Sequence, residues 1–317
     1  MIRHALVLTA GLGTRLRPLT DVRAKPAIPV AGEPMIRRII RWLVSQGVDD
    51  LVLNLHHLPE TLTSVVGDGR DLGARVRYSW EQPRILGSAG GPRLARALVD
   101  AGTFFIINGD TLTDMDLSKL ADAHAESRAL VTLALVPNRE FTRYGGVRLD
   151  GERRLVGFSP RGAASAGTFH YIGVQIVDGA VFDRVAPGEA ANSIGGVYDA
   201  ISSAQPGSVR GFPCDADFWD VGTTADYWRT SDAFAAAKGE PAIPGAGRGP
   251  RIAPSARVTR SILWDDVDVG AEAVIEECIL TDGVRIAARA TYRRAVLVRG
   301  ADGDEPIASP FDTGGDR

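Results

Sequence analysis

Short apolar runs alternate with amphipathic stretches over the first 140 or so residues. The runs at 4–9, 50–55, 75–80, 103–107 and 129–136 read as strands. Between the first two, residues 34–46 place Met35, Ile36, Ile39, Ile40 and Leu43 at helical spacing. Pro34 suits the first turn of that helix and Gly47 its stop. A second helix is predicted at about 91–100, with Leu94, Ala97 and Leu98 on one face. Strands alternating with helices imply an α/β fold: a Rossmann-like, mixed but mostly parallel sheet with helices on both faces. Ligands bind such sheets beyond the carboxyl ends of the strands. The loop that starts at Ala10 and the turn Asn108-Gly109-Asp110 both fall at such ends.

From about residue 144 the β segments shorten. A hairpin is predicted around 150–153, a strand at about 169–177, a helix at about 224–237 and a Gly/Pro-rich linker at 239–250. Beyond it the chain repeats every 17 residues: positions 252–258, 269–275 and 286–292 align, as do 261–263, 278–280 and 295–297. Bulky residues often recur every six positions inside a repeat, as at Ile252, Val258 and Trp264. The spacing predicts about three short coils of a parallel β-helix. The expected organisation is a main domain at 1–238, a linker at 239–250, coils at 251–302 and a polar, disordered tail at 303–317.

Composition narrows the function classes. The chain has 317 residues, 44% hydrophobic, with net charge −3. That length supports a large core, and the near-neutral balance argues against a general nucleic-acid binder. No apolar run reaches membrane-spanning length and no signal peptide precedes the first strand, so a cytoplasmic protein without membrane association is expected. Two cysteines, Cys214 and Cys278, form neither a disulfide framework nor a metal pattern. All but three of the 36 basic residues are arginine, and one exception is Lys25. A lysine is a compact point charge where arginine is a wide planar fork, which suits a crowded phosphate pocket.

Positions 10–20 read A-G-L-G-T-R-L-R-P-L-T, with Lys25-Pro26 following. A strand opening into a glycine loop can present backbone N–H groups to a phosphate chain. The dinucleotide fingerprint is excluded because Leu16 occupies its third glycine position and Pro18 opposes a helix inside the loop. No Walker-type P-loop string occurs. The motif, with Pro29-Val30 after it, resembles the signature of the sugar-1-phosphate nucleotidyltransferases, and the resemblance covers roughly residues 1–300. The repeats resemble the left-handed β-helix tails of some of these enzymes.

That resemblance implies the chemistry. A sugar 1-phosphate attacks the α-phosphorus of an NTP, and pyrophosphate leaves; the protein supplies alignment and charge neutralisation. By family match Arg15 contacts the β/γ-phosphates, Lys25 neutralises the α-phosphate region, and Asp110 and Asp220 hold Mg²⁺. Asp220 comes from Trp219-Asp220-Val221-Gly222-Thr223, similar to the family's W-x-D-V-G-T. Ala10, Gly11, Gly13, Thr14, Gln82, Gly87, Ser88, Gly90 and Asn108 are the expected nucleotide contacts, with a lesser contribution from Glu81. Tyr144, Gly145 and Arg161 are the expected sugar-phosphate contacts. His56 and His57 are read as structural. The chain departs from the family at F-x-E-K-P, where it has Phe158-Ser159-Pro160-Arg161-Gly162: Arg161 could replace the lysine, but the sugar-binding acid is absent. The stretch Asn54-Leu55-His56-His57 and the short tail look most like the mannose-1-phosphate guanylyltransferase branch, so GTP is favoured. Thymidylyl or uridylyl transfer to glucose 1-phosphate and a catalytically weak regulatory paralogue stay open. The coils are expected to mediate subunit contact in a homo-oligomer or to pack against the core.

Overall fold

The computed structural model describes residues 2–237, 248–300 and 305–311. The chain forms two compact units that interleave in sequence. The first comprises Met1–Gly11, Ile39–Pro59 and Val66–Phe218, and the second Leu12–Arg38, Glu60–Val65 and Trp219–Arg317.

The first unit is built on a nine-stranded sheet. Its strands are β1 (His4–Leu8), β2 (Asp50–Leu55), β3 (Arg75–Trp80), β4 (Thr103–Asn108), β5 (Val131–Pro137), β6 (Gly146–Leu149), β7 (Leu155–Ser159), β8 (Phe169–Asp178) and β9 (Val209–Pro213). β1 pairs in parallel with β2 and β4, and β2 with β3. β8 then reverses direction, pairing antiparallel with β4 and β5, so the sheet is mixed. Leu6, Val52, Phe104, Ile106 and Leu133 are all but inaccessible to solvent and share one core cluster with Ala89, Ala95 and Val99 of the helix Gly87–Val99. Each such large side chain contributes about 1.5–3 kcal/mol on burial, and β2 and β5 are buried along nearly their whole length, as strands covered on both faces are.

Two helix boundaries differ from the periodicity. The first helix is Met35–Ser45, and Pro34 instead ends a short strand, Glu33–Pro34, paired with Pro29–Val30. The second begins at Gly87, before the apolar period starts, so the glycine-rich segment is its first turn. The β6–β7 hairpin and the strand around 169–177 form as expected.

In the second unit, Thr224–Ala237 is a helix, and the expected coils follow. Three parallel ladders stack at 17-residue steps: Arg251–Ile252 on Asp268–Val269 on Arg285–Ile286, Arg257–Thr259 on Val274–Glu276 on Thr291–Arg293, and Ile262–Leu263 on Ile279–Leu280 on Ala295–Val298. Leu263, Leu280 and Leu297 lie in one buried interior column of this hexapeptide-type β-helix. Its corners need left-handed backbone at the same step, at Arg260, Glu277 and Arg294, and at Glu272 and Arg289. Within the tail expected to be disordered, Ile307–Pro310 is a strand antiparallel to Ala295–Val298. The linker expected at 239–250 lies mostly outside the described residues. Among the described residues, no helix is long and apolar enough to cross a membrane.

Candidate active site

In the second unit the phosphate-loop motif is a self-packed knot. Gly13 adopts φ +61°, and a Cβ there would stand 2.6 Å from Thr20 Cγ2 and 3.3 Å from Lys25 Cβ. The Thr20 hydroxyl donates back to the Gly13 carbonyl at 2.9 Å, and Leu16 and Leu19 are fully buried beneath. The spacing of Gly13, Thr20 and Lys25 is therefore a packing requirement: each occupies space the others leave. Lys25 is 8% exposed, whereas Thr14 and Arg15 are exposed, and the Arg15 guanidinium forms no ion pair among the described residues.

Asp220 enters the same unit beside Arg15. A Cβ built on Gly222 would lie 3.1 Å from Asp220 Oδ2, 3.3 Å from Asp226 Oδ2 and 3.5 Å from Arg15 Nη2. Glycine at 222 thus leaves room for a carboxylate and a guanidinium to converge. The turn is locked by a reciprocal cap. The Thr223 amide and hydroxyl donate to Asp226 Oδ2 at 2.9 and 2.8 Å, and the Asp226 amide donates to Thr223 Oγ1 at 3.2 Å. Trp219 packs edge-on against Phe234 of the following helix, 5.1 Å between centroids. Phe218, two places before Asp220, holds the position of the motif tryptophan.

In the first unit, β1 ends in Thr9 and Ala10, and the exit is clamped by a buried network. Asn54 accepts from the Thr9 amide at 2.6 Å and donates to Glu81 Oε1 at 2.7 Å. Thr9 Oγ1 donates to the Asn54 carbonyl, and Glu81 Oε2 accepts from the Leu86 amide at 2.6 Å. Glu81 is 0% exposed, so its acceptors are spent on the scaffold and not on a base. A Cβ on Gly91 would collide with Glu81 Oε1, one on Gly90 with the Glu189 carbonyl, and one on Gly87 would sit 2.7 Å from the Ala191 carbonyl. The Ser88 hydroxyl accepts from the Ser193 amide at 2.9 Å. The G-S-A-G-G composition is thus explained by close packing of the helix start. Gly11 has open space where a side chain would be, and Gln82 is exposed. His56 Nδ1 bonds the Glu81 carbonyl at 2.7 Å, in a structural role.

Asn108 ends β4 and Asp110 follows. Space for Asn108 comes from Gly173, at φ +80° in a bulge of β8 where a Cβ would come within 2.8 Å of Asn108 Cβ. The Tyr171 hydroxyl is buried without a hydrogen-bond partner among the described residues. Burial first, then the charges of Tyr198 and Asp110, raise its pKa, so it stays protonated beside that carboxylate. Tyr144 stacks on His170 at 4.1 Å, and Phe218 lies 5.1 Å from His170, around a cavity of about 220 Å³ that Asn138, Glu140 and Asp217 also line. Burial lowers the His170 pKa to about 4. A Cβ on Gly145 would lie 3.0 Å from the Ser159 carbonyl, and Arg161 is exposed on the loop after β7. Sequence reasoning missed His170, Tyr171 and Gly173: the first two read as ordinary positions of a strand, and Gly173 falls in a register shift between Tyr171 and Gln175 that the sequence does not signal.

Among the described residues, no three His, Cys, Asp or Glu gather as an all-protein metal cage. Magnesium commonly takes one or two carboxylates plus substrate phosphates, chemistry that the Asp110 carboxylate of the first unit, beside the unpartnered Tyr171 hydroxyl, and the Asp220 carboxylate of the second each suit. Both thiols have raised pKa values through burial, which makes them poor nucleophiles and ligands.

Comparison with known proteins shows the family. A family model described as nucleotidyl transferase matches residues 4–237, and one described as GlmU-like, C-terminal hexapeptide matches 248–306. A mannose-1-phosphate guanylyltransferase of Mycobacterium tuberculosis is 32% identical over 298 residues, covering 86% of this chain and 82% of its own. A UTP–glucose-1-phosphate uridylyltransferase of Synechocystis is 28% identical over 299 residues, covering 89% of this chain and 76% of its own. The crystal structure of HddC from Yersinia pseudotuberculosis, complexed with GMP-PN, superposes with TM-score 0.61 at 22% identity, over 73% of this chain and 98% of that one.

Proposed function

The chain belongs to the sugar-1-phosphate nucleotidyltransferase family, and we propose that it transfers a guanylyl group from GTP to mannose 1-phosphate or a related sugar 1-phosphate. The observation that carries the reading is the convergence of Arg15 and Asp220 on the side-chain-free Gly222. An anionic sugar phosphate needs no strong base to attack the α-phosphorus, so alignment and charge neutralisation dominate the barrier. The glycine loop's N–H groups and Thr14 hold the triphosphate. Arg15 meets the charge that develops on the departing pyrophosphate, and Lys25 offsets the α-phosphate. Members of the family typically use a divalent metal. Here Asp110 and Asp220 would hold Mg²⁺, which when bound neutralises the phosphates of the two substrates. The Tyr144–His170–Phe218 face receives the sugar, and Arg161 takes the place of the family lysine. Guanylyl transfer is supported by the mycobacterial relative, while the Synechocystis relative keeps uridylyl transfer as the alternative. The missing acid at Phe158-Ser159-Pro160-Arg161 favours a second reading, a catalytically weak paralogue. A cytoplasmic location fits the free thiols. A matrix of NTPs against sugar 1-phosphates tests the substrate assignment: GTP with mannose 1-phosphate should give the largest kcat/KM, and a higher value for UTP with glucose 1-phosphate would replace it.

A further inference from the structure

The coils of a parallel β-helix stack residues 17 positions apart, at the roughly 4.8 Å spacing of paired strands. Like charges in adjacent coils therefore repel, and this chain pairs opposite signs instead. Arg251 lies on Asp268, Arg289 on Glu272, Arg293 on Glu276, and Glu277 between Arg260 and Arg294. One column breaks the rule: Asp265 stands under Asp282. Arg248, one step earlier in the column, pairs with Asp265 at 3.1 Å, and both carboxylates are also met from outside the coil stack, within the same compact unit, by Arg23 of the segment that carries the phosphate-loop motif.

Arg23 grips both carboxylates. Its Nε donates to Asp282 Oδ2 at 2.7 Å, and its Nη2 donates to Asp282 Oδ1 at 2.6 Å and to Asp265 Oδ2 at 2.8 Å. The guanidinium is nearly buried and lies 5.3 Å from the ring centre of Trp264, which is itself fully buried. Trp264 Nε1 donates to the Tyr227 hydroxyl at 2.9 Å, and that hydroxyl donates to the Pro29 carbonyl at 2.7 Å. The Ala24 amide donates to Thr61 Oγ1 at 3.0 Å. Residues on both sides of Lys25 are thus pinned, and two of the pins, at Arg23 and Pro29, run to the first coils.

We propose that the Asp265–Asp282 pair is a socket for Arg23, and that through it the β-helix positions the phosphate loop bearing Arg15 and Lys25. Arg23, Asp265 and Asp282 are positioning residues; they act on the nucleotide only through the loop. The functional half of this inference rests on the nucleotidyl-transfer reading, and the structural half does not.

The test uses the full-length protein. Amide hydrogen exchange over residues 12–30 is compared in the wild type, Asp282→Asn, Asp265→Asn/Asp282→Asn, and the control Asp268→Asn, which removes an ion pair on another face. Amides such as Leu16, Ala27 and Ile28 should exchange at least tenfold faster in the socket variants, with coil amides protected as in Asp268→Asn. Unchanged exchange in 12–30 overturns the socket whether or not the protein turns over. In pyrophosphate-release assays, Asp282→Asn should raise KM for the NTP fivefold or more with a smaller fall in kcat, and Arg23→Lys should fall between wild type and Arg23→Ala. A lowered melting temperature with unaltered KM reduces the contact to ordinary stability and overturns the functional half. No pyrophosphate from the wild type rejects the reaction reading, and the exchange data still decide the socket.

Discussion

A methyl group at position 222 would lie within 3.5 Å of Asp220, Asp226 and Arg15 at once. Gly222→Ala should therefore lower kcat about 10- to 100-fold by displacing groups that must align, with a melting temperature within a few degrees of wild type. A variant at wild-type kcat would show that the convergence is not catalytic. Arg15 is exposed and supports no packing, so Arg15→Ala should cost about 10²–10³ in turnover, the usual worth of a preorganised charge donor, while leaving the denaturation midpoint unmoved. His170 carries a pH dependence. Its pKa drops from 6.5 to about 4 through burial, so between those values the unfolded chain takes a proton that the native histidine refuses. Folding stability is fully retained above pH 6.5 and falls as pH drops toward 4, by on the order of 2 kcal/mol once solvent screening is allowed for. Urea midpoints at about pH 7.5 and 4.5 should diverge less in His170→Phe, which keeps the ring on Tyr144 and removes the titration; an equal divergence would contradict this.

Elements were legible where one local rule governs them. The helix Thr224–Ala237, the coils at 17-residue steps and strands such as β2 and β3 follow from local pattern: β2 is a continuous apolar run buried on both faces, and each coil repeats its buried positions at a fixed step. The helix Gly87–Val99 starts earlier than its apolar period because its first turn is glycine-rich, and Gly87 and Gly90 answer to the carbonyls of Ala191 and Glu189 far along the chain. The buried Thr9–Asn54–Glu81–Leu86 network was hidden for the same reason. It joins the end of β1 to the start of that helix through residues spread over nearly 80 positions. Glu81→Leu should destabilise the protein by at least about 2 kcal/mol in denaturant titration, because the Leu86 amide and the Asn54 side chain would lose their partners. The reciprocal cap at Thr223 and Asp226 makes a milder prediction. Thr223→Ala should cost about 1 kcal/mol, and a fall in turnover beyond that of a comparably destabilised surface variant would show the cap also places Asp220.

At the scale of the whole molecule, the phosphate-loop motif from Leu12 onward and Asp220 sit in one compact unit with the β-helix, whereas Ala10, Gly11, Asp110, the glycine-rich helix start and the Tyr144 face belong to the other. A linear reading divides the chain near residue 238, and the interleaving is added by contacts that sequence order does not show: residues 12–38 cluster with residues 60–65 and with residues from 219 onward. The motif identifies a reaction class readily because it is local; the sugar is read by residues on several strands and loops, and there the chain departs from its family. The central claim is that these parts perform nucleotidyl transfer. The direct measurement is pyrophosphate release from GTP and mannose 1-phosphate with Mg²⁺, with the nucleotide-sugar product quantified alongside. The wild type should release pyrophosphate in equal amount to GDP-mannose, with loss of both in Arg15→Ala and on chelation of the metal. Release no greater than that of Arg15→Ala, for this pair and for every other NTP and sugar 1-phosphate combination, would contradict the account.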